Sequence, residues 1–255
     1  MIDTHCHIDF PEYDNDRDEV IKRAKNTLDA IVLSGTNFEA NKGAITYSES
    51  NPNFIYPSLG FHPVTSQNAT LEERTAVQEH IIENKDKISA IGEVGMDFFF
   101  VKDKAIRNKQ REVFLSFVEI ANEYKIPLLI HARDADKKAL NIVLDYDNIP
   151  EVIFHSYSGS LKTAQRIMEH DNYHMSFSTM VCWSKQHQDL ASEIPIDYML
   201  TETDSPYLAM TKEERNEPAN VKLAIEKIAE LQNIDVNTVD EVTTKNAKKV
   251  FGMKN

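Results

Sequence analysis

The chain has 255 residues, 41% of them hydrophobic and 27% charged, which excludes a disordered chain and suits one large α/β domain or two small ones. Its formal net charge of −13 draws no polyanion by itself, so a nucleic-acid partner would require local basic groups or metal ions. Two cysteines, Cys6 and Cys182, are too few for a disulfide framework, and with neither a leader nor a membrane-length apolar run the expected setting is cytoplasmic, without membrane or obligate protein partner.

Short apolar runs alternate with longer amphipathic stretches throughout. The first run, Met1–Cys6, reads as a strand and delivers His5 and His7 at its end. Val20, Ile21, Ala24 and Leu28 then share one helix face. Runs at Ala30–Leu33 and Phe54–Leu59 follow. The second carries Pro57, which removes a ladder hydrogen bond and predicts a short or irregular strand. His62 comes next, in "GFHP". The run Ile88–Ile91 leads to Glu93 in "AIGEVG", and Val113, Phe114, Phe117, Ala121 and Tyr124 mark a long helix. Pro127–Ile130 leads to His131, and Val152–Phe154 to His155 in "VIFHSYSG". After Tyr173–Phe177, the run Tyr198–Leu200 leads to Glu202 and Asp204 in "MLTETDSP". Two helices close the chain, one on Val221, Ala224, Ile225, Ile228 and Ala229, the other on Val239, Val242, Val250 and Phe251. Gly252 reads as a helix stop.

Eight strands alternating with helices predict an α/β fold, a (β/α)8 TIM barrel formed as a single domain over residues 1–255. A doubly wound open sheet is the structural alternative. Most of the runs lack polar–apolar alternation, as strands buried on both faces do. In a barrel the C-terminal strand ends converge on one face, so the residues just listed would meet in one pocket.

Their chemistry is that of metal ligands. Neutral imidazole and carboxylate bind divalent ions of borderline or hard character. Residues two apart on a strand point to the same side, so His5 and His7 can grip one ion with Cys6 turned away as a small core residue. Four histidines and two carboxylates exceed the needs of one tetrahedral ion, and a glutamate between two ions could bridge them, flanking an attacking water. Each feature alone has a plain structural reading: a lone strand-end histidine is usually just hydrogen-bonded, and Glu202 with Asp204 could cap a turn. The coincidence outweighs these readings, because five of nine histidines fall at strand ends. The other four, His80, His170, His174 and His187, read as surface or structural. Asp97, in "GMDFFF", either caps the next segment or contacts a site group. Phe98, Phe99 and Phe100 read as a buried loop plug ahead of a base-stacking surface.

Together these stretches resemble the TatD family of metal-dependent hydrolases, within the wider amidohydrolase superfamily. The resemblance covers almost the whole chain and rests on "DTHCHIDF", "GFHP", "AIGEVGMDF", "QREVFLSFVEIANEYKIPLLIHARDA", "FHSYSGS", "LTETDSPYL", "RNEPANV" and "TTKNAKKVFG". It implies a barrel and a metal-dependent deoxyribonuclease, some members being credited with removing D-amino acids from tRNA. It implies that His5, His7 and Asp204 hold one ion, that His131 and His155 hold a second, and that Glu93 bridges. A modified lysine occupies the position of Glu93 in other branches of the superfamily. Catalytic work would fall to Glu93, Asp204 and Glu202. His62 and Glu202 would line the substrate side, Arg133 would contact phosphate, and Arg215 and Asn216 would reach the pocket by a loop. The chain departs from the family at Thr179, where glycine is common, at "FHSY", and in the three phenylalanines after Asp97.

Three functions follow for such a site. The first is phosphodiester hydrolysis on DNA with two divalent ions, Zn, Mg or Mn. The alternative is hydrolysis of carbonyl esters or amides, including D-aminoacyl-tRNA, by the same ion pair polarising a carbonyl. The third is a structural metal on a scaffold, disfavoured because structural zinc sites are closed and often cysteine-rich.

Overall fold

The computed structural model describes residues 1–211 and 213–254. Eight parallel strands stand in chain order around a barrel: β1 Ile2–Cys6, β2 Ala30–Ser34, β3 Ile55–Leu59, β4 Ala90–Gly95, β5 Leu128–His131, β6 Val152–Phe154, β7 Tyr173–Phe177 and β8 Met199–Thr201. The helices are α1 Arg17–Lys25, α2 Phe38–Ser50, α3 Pro63–Ser66, α4 Leu71–Glu83, α5 Lys104–Tyr124, α6 Asp136–Val143, α7 Leu161–Ile167, α8 Lys185–Glu193, α9 Val221–Gln232 and α10 Val236–Val250. This is the (β/α)8 barrel, and the open-sheet alternative falls. Residues beyond β8 complete the seam with β1: Asp204 N–H donates to His5 O at 2.9 Å, and His7 N–H to Ser205 O at 2.8 Å. Buried Asp3 holds the same seam, accepting from Thr203 N–H at 2.9 Å and from the Thr203 hydroxyl at 2.6 Å. Among the described residues no helix is long and apolar enough to cross a membrane.

Two apolar layers hold the barrel. The outer one lies between strands and helices and includes Ile31, Leu33, Leu128, Ile130, Phe114 and Phe117. The inner one fills the lower barrel with Ile2, Ala30, Val32, Ala90, Leu129, Ile153 and Leu200, against Val250, Phe251 and Met253 at the end of α10. The upper barrel is left to polar side chains. Helix ends follow local chemistry. Thr70 and Glu73 form a reciprocal capping box at the start of α4, Asn37 and Asp103 cap α2 and α5, and Gly252, with φ of 61°, ends α10.

Two strands change phase partway up. Between β1 and β2, Asp3 pairs with Ile31 but Cys6 with Leu33, so β1 holds one extra residue. Between β4 and β5, Ile91 pairs with Leu128 but Val94 with Ile130, again one extra. A bulge re-aims the side chains beyond it. Thus Ile2 faces the inner layer while Cys6, of the same parity, faces the outer one, and Ala90 and Val94 divide likewise. This shift turns His5 and Glu93 inward. The run expected at Ile88–Ile91 is thus β4 from Ala90 through Glu93 to Gly95.

Pro57 is accommodated without irregularity. Its carbonyl accepts from Ser89 on the β4 side, and β3–β4 pairing begins only at Ser58 with Ala90. In a parallel strand the N–H and C=O of a residue face the same neighbour, so the missing N–H of Pro57 points where no ladder has begun. Glycine is required at two places above it. A Cβ on Gly60 would strike the Gly92–Glu93 peptide, and one on Gly95 (φ 147°) would strike the His131 carbonyl. Both hold β4 close to its neighbours.

Cys6 is fully buried in the outer layer, its Sγ 3.4 Å from Val32 O. Cys6→Ser is expected to keep its metal content while losing about 1–3 kcal/mol of stability from burying a hydroxyl. Metal analysis beside a thermal melt checks this, and lost metal would overturn the facing argument.

Candidate metal centre

The strand ends bring two groups of ligand atoms together. In the first, His5 Nε2 and His7 Nε2 lie 3.1 Å apart. They stand 3.6 and 3.7 Å from Glu93 Oε2, and 3.6 and 3.5 Å from Asp204 Oδ1. In the second, Glu93 Oε1 lies 2.6 Å from His131 Nδ1 and 2.9 Å from His155 Nε2, and these two nitrogens are 3.1 Å apart. Glu93 thus gives one oxygen to each group. All six side chains are buried or nearly so, Asp204 being the most open at 19%.

The outer face of each ring fixes what its inner nitrogen can offer. His7 Nδ1–H donates to Ser34 O at 2.8 Å, so Nε2 turns a lone pair inward. His5 Nδ1 meets the Ser34 hydroxyl at 3.1 Å. His131 Nε2–H donates to Asp97 Oδ2 at 3.0 Å. His155 Nδ1 faces Glu202 Oε1 at 3.5 Å, and the Ser176 hydroxyl donates to the other Glu202 oxygen. Paired imidazole–carboxylate contacts of this kind orient metal-binding histidines.

Two ring lone pairs 3.1 Å apart repel, and a lone pair 2.6 Å from a carboxylate oxygen needs a cation between them. Ligand bonds of about 2.0–2.2 Å give tetrahedral donor–donor edges of roughly 3.4 Å, and the first group's 3.1–3.7 Å edges fit that size. Burial and the neighbouring His155 lower His5, but the other ligand histidines show the same demand for positive charge. Burial works against charging His7, yet hydrogen bonding to Asp204 and the nearby Glu93 carboxylate lift it to about 9. Burial likewise opposes charge on His155 and His131, but Glu93 and Glu202 raise the first, and Asp97 and Glu93 the second. Burial would push the Glu93 carboxyl up, but the surrounding imidazoles hold it well below the carboxylate range. The donor set therefore fits divalent cations.

His62 differs from the ligand histidines. Its Nδ1 accepts from Val64 N–H at 3.3 Å at the start of α3, which puts the ring proton on Nε2, 3.5 Å from Glu93 Oε1. Burial lowers this ring to about 4, so it is a neutral donor at the rim. The Arg133 guanidinium stacks over Phe99 at 4.0 Å and, among the described residues, makes no hydrogen bond or ion pair. A cavity of about 340 Å³ opens over His131, His155 and Asp204 and includes Arg133 in its wall.

Several expectations need correction. Glu202 does not line the substrate side or reach a reacting group: it is fully buried behind His155. Arg215 turns away to pair with Asp16 at 2.7 Å. Asn216 is buried, donating to Thr179 Oγ1 and Thr203 O, so it braces the loop after β8 and Thr179 helps to anchor it. The phenylalanine run splits, Phe98 being buried and Phe99 and Phe100 exposed. Of the two readings of His187, surface or structural, the first falls: it is buried, in the wall of the cavity. Sequence reasoning missed Ser34, although "IVLSG" ends a strand as the ligands do, and left Asp97 unresolved. Asp97 takes His131 Nε2–H and also accepts from Phe100 N–H at 2.8 Å, so both readings of it hold.

Asp97→Asn is expected to weaken metal retention and activity roughly 10- to 100-fold, the usual cost of losing a carboxylate behind a ligand histidine. Activity measured against free ion concentration tests this. A half-saturation point equal to the parent's would sink it.

The family described as "TatD related DNase" matches residues 2–252. The chain is 38% identical over 253 residues to an uncharacterized metal-dependent hydrolase of Methanocaldococcus jannaschii, covering 98% of this chain and 96% of that protein. It is 34% identical to the human deoxyribonuclease TATDN3, covering 98% and 94% of the two chains. Its fold is similar to the crystal structure of YjjV, a TatD homologue from Escherichia coli, with a TM-score of 0.90, 23% identity and coverage of 100% and 98%.

Proposed function

The chain belongs to the family of TatD-related DNases, and from that premise we propose that it is a metal-dependent deoxyribonuclease hydrolysing phosphodiester bonds with two divalent ions. The observation that carries this reading is Glu93, one oxygen of which sits in each of two ligand groups. His5, His7, Asp204 and Glu93 would hold one ion, and His131, His155 and Glu93 the other. Bound there, the ions supply Lewis acidity and lower the pKa of a water nucleophile.

The chain's own residues do the rest. Asp204, the most open carboxylate of the group, stands where it can accept a proton from the incoming water. Its backbone is held in the left-handed region, with φ of 55°, a conformation that costs a non-glycine residue about 1–3 kcal/mol and marks a functional constraint. His62 offers a neutral Nε2–H to a phosphate oxygen. Arg133, a cation with no carboxylate partner among the described residues of a chain of net charge −13, supplies local positive potential. Glu202 and Asp97 hold the rings of His155 and His131 in place. The name of the human relative supports DNA as the substrate.

Purified protein stripped of metal and reloaded separately with Zn2+, Mn2+ or Mg2+ tests the reading against end-labelled single-stranded DNA and a D-aminoacyl ester. Nucleotide release restored by at least one ion is expected. Fast ester cleavage without metal-dependent nucleotide release would replace it with the carbonyl-hydrolase reading.

A further inference from the structure

Phe98, Phe99 and Phe100 form the turn by which the chain leaves β4. The turn is tied to the ligand shell twice. Asp97, just before it, takes His131 Nε2–H at 3.0 Å, and Phe98 N–H donates to Arg133 O at 2.8 Å. Four cations stack on the three rings. Arg133 lies 4.0 Å from the Phe99 centroid and 5.0 Å from that of Phe100. Lys102 lies 5.6 Å from the Phe99 centroid. Arg107 and Lys138 lie 4.5 and 4.9 Å from that of Phe98. Arg133 stands in the cavity wall, and the other three do not line it.

Other cations of this surface meet carboxylates, as Arg23 meets Glu217 at 2.6 Å and Arg215 meets Asp16 at 2.7 Å. Of these four, among the described residues, only Lys102 has a carboxylate within reach, Asp134 Oδ2 at 3.9 Å. The other nearby acids are occupied. Asp97 faces His131, Asp103 accepts from Ile106 N–H at 3.0 Å, and Asp136 accepts from Ser160 N–H at 3.4 Å. An aromatic face attracts a cation through its quadrupole but carries no net charge to cancel it. Stacking therefore fixes these cations and leaves their charge available. Phe98 O fixes two of them further, accepting from Lys102 Nζ at 2.8 Å and from Arg107 Nη2 at 2.9 Å. Cations gathered on one turn repel each other. In a chain of net charge −13, their gathering suits an anion with several charges.

We propose that this turn, with Lys102, Arg107, Arg133 and Lys138, is a docking surface for the phosphodiester backbone outside the cavity, engaging phosphates beyond the scissile one. Charge complementarity and continuity with the cavity through Phe99 and Arg133 name that occupant. The inference rests on the nuclease reading and adds a criterion to it, the number of phosphates. Backbone contacts position a strand without reading its bases, and they offset the repulsion between an acidic protein and a polyanion.

Two substrates test this with the metal-loaded protein. One is a thymidine decanucleotide. The other is the same strand with each internal diester replaced by a neutral methylphosphonate and the two terminal diesters kept. The parent should prefer the charged strand about tenfold in kcat/KM, the difference lying in KM. Lys102→Gln/Lys138→Gln should remove about five- to tenfold of that preference. It should also flatten the slope of log kcat/KM against log salt by about 0.7 per lysine. Lys138 makes no hydrogen bond or ion pair among the described residues, so Lys138→Glu changes charge without releasing the turn. It should lose about fivefold of the preference by itself. Preference and salt slope equal to the parent's in both variants would overturn the surface. If no ion supports cleavage, anisotropy of the fluorescein-labelled strands reads binding instead. Tighter binding of the charged strand, weakened by Lys138→Glu, then keeps the surface and removes the nuclease reading. Cleavage with no preference for the charged strand does the reverse.

Discussion

Glu93→Gln is expected to lose roughly two to four orders of magnitude in phosphodiester turnover, the equivalent of about 3–5 kcal/mol for breaking a buried ionic network. The substitution keeps shape and removes charge. At present each carboxylate oxygen belongs to a different ligand group, within 2.6–3.7 Å of ring nitrogens of His5, His7, His131 and His155. An amide can offer an acceptor to one group only, and its NH2 would face lone pairs or a cation in the other. The first ion would keep Asp204, and the second would be left with the imidazoles of His131 and His155 and no anionic ligand. Metal analysis should show fewer than two ions per chain, while circular dichroism shows an intact barrel. A variant that retains two ions and parental turnover would remove Glu93 from the centre of the site.

Chelation is the second large effect expected: complete loss of turnover with the fold retained. The lower barrel is filled by Ile2, Val32, Leu129, Ile153 and Leu200 against the end of α10, and none of these is a ligand residue. The seam between β8 and β1 is held by backbone bonds and by Asp3. Two of those backbone bonds are made by the ligand residues His5, His7 and Asp204, but the bonds to Asp3 and the apolar filling are made without an ion. Ions that bind only the native state still stabilise it, by about 2.7 kcal/mol per site at a hundredfold excess over Kd, so the melting midpoint should fall by roughly 5–20 °C for a chain of this size. Returning the ion should restore both activity and midpoint. A far-UV spectrum that collapses in chelator would make the metals structural and revive the scaffold reading.

The barrel was legible because its eight apolar runs are distinct in composition from the helices between them. β6 and β7 begin and end where their runs do, and β1, β3, β5 and β8 differ by a residue at one or both ends. The apolar run Ile88–Ile91 stops short of the end of β4, which runs from Ala90 to Gly95, because its glycines, packed close against β5, interrupt the apolar composition. The ligand residues were legible for a topological reason: strand C-termini meet, so residue type plus position sufficed. Orientation was not legible. That Glu202 serves the back of His155, rather than the substrate, depends on a rotamer and a neighbour, Ser176, twenty-six residues away in sequence. His187 escaped because it sits inside a helix with no motif around it, and only the packing of α8 brings it to the cavity.

The one-residue bulges in β1 and β4 have a consequence for how this protein can vary. Each works as a clutch between a lower strand segment geared to stability and an upper one geared to chemistry. Below it, side chains can be exchanged for others of equal volume without disturbing the site. At the clutch itself, length matters more than identity. Pairing the same residues in plain alternation, without the bulge, would send the first two imidazoles into the helical layer and a thiol into the pocket. Lineages descended from such a barrel should therefore tolerate substitution widely along the lower strands, and where a bulge is lost they should lose one residue with it.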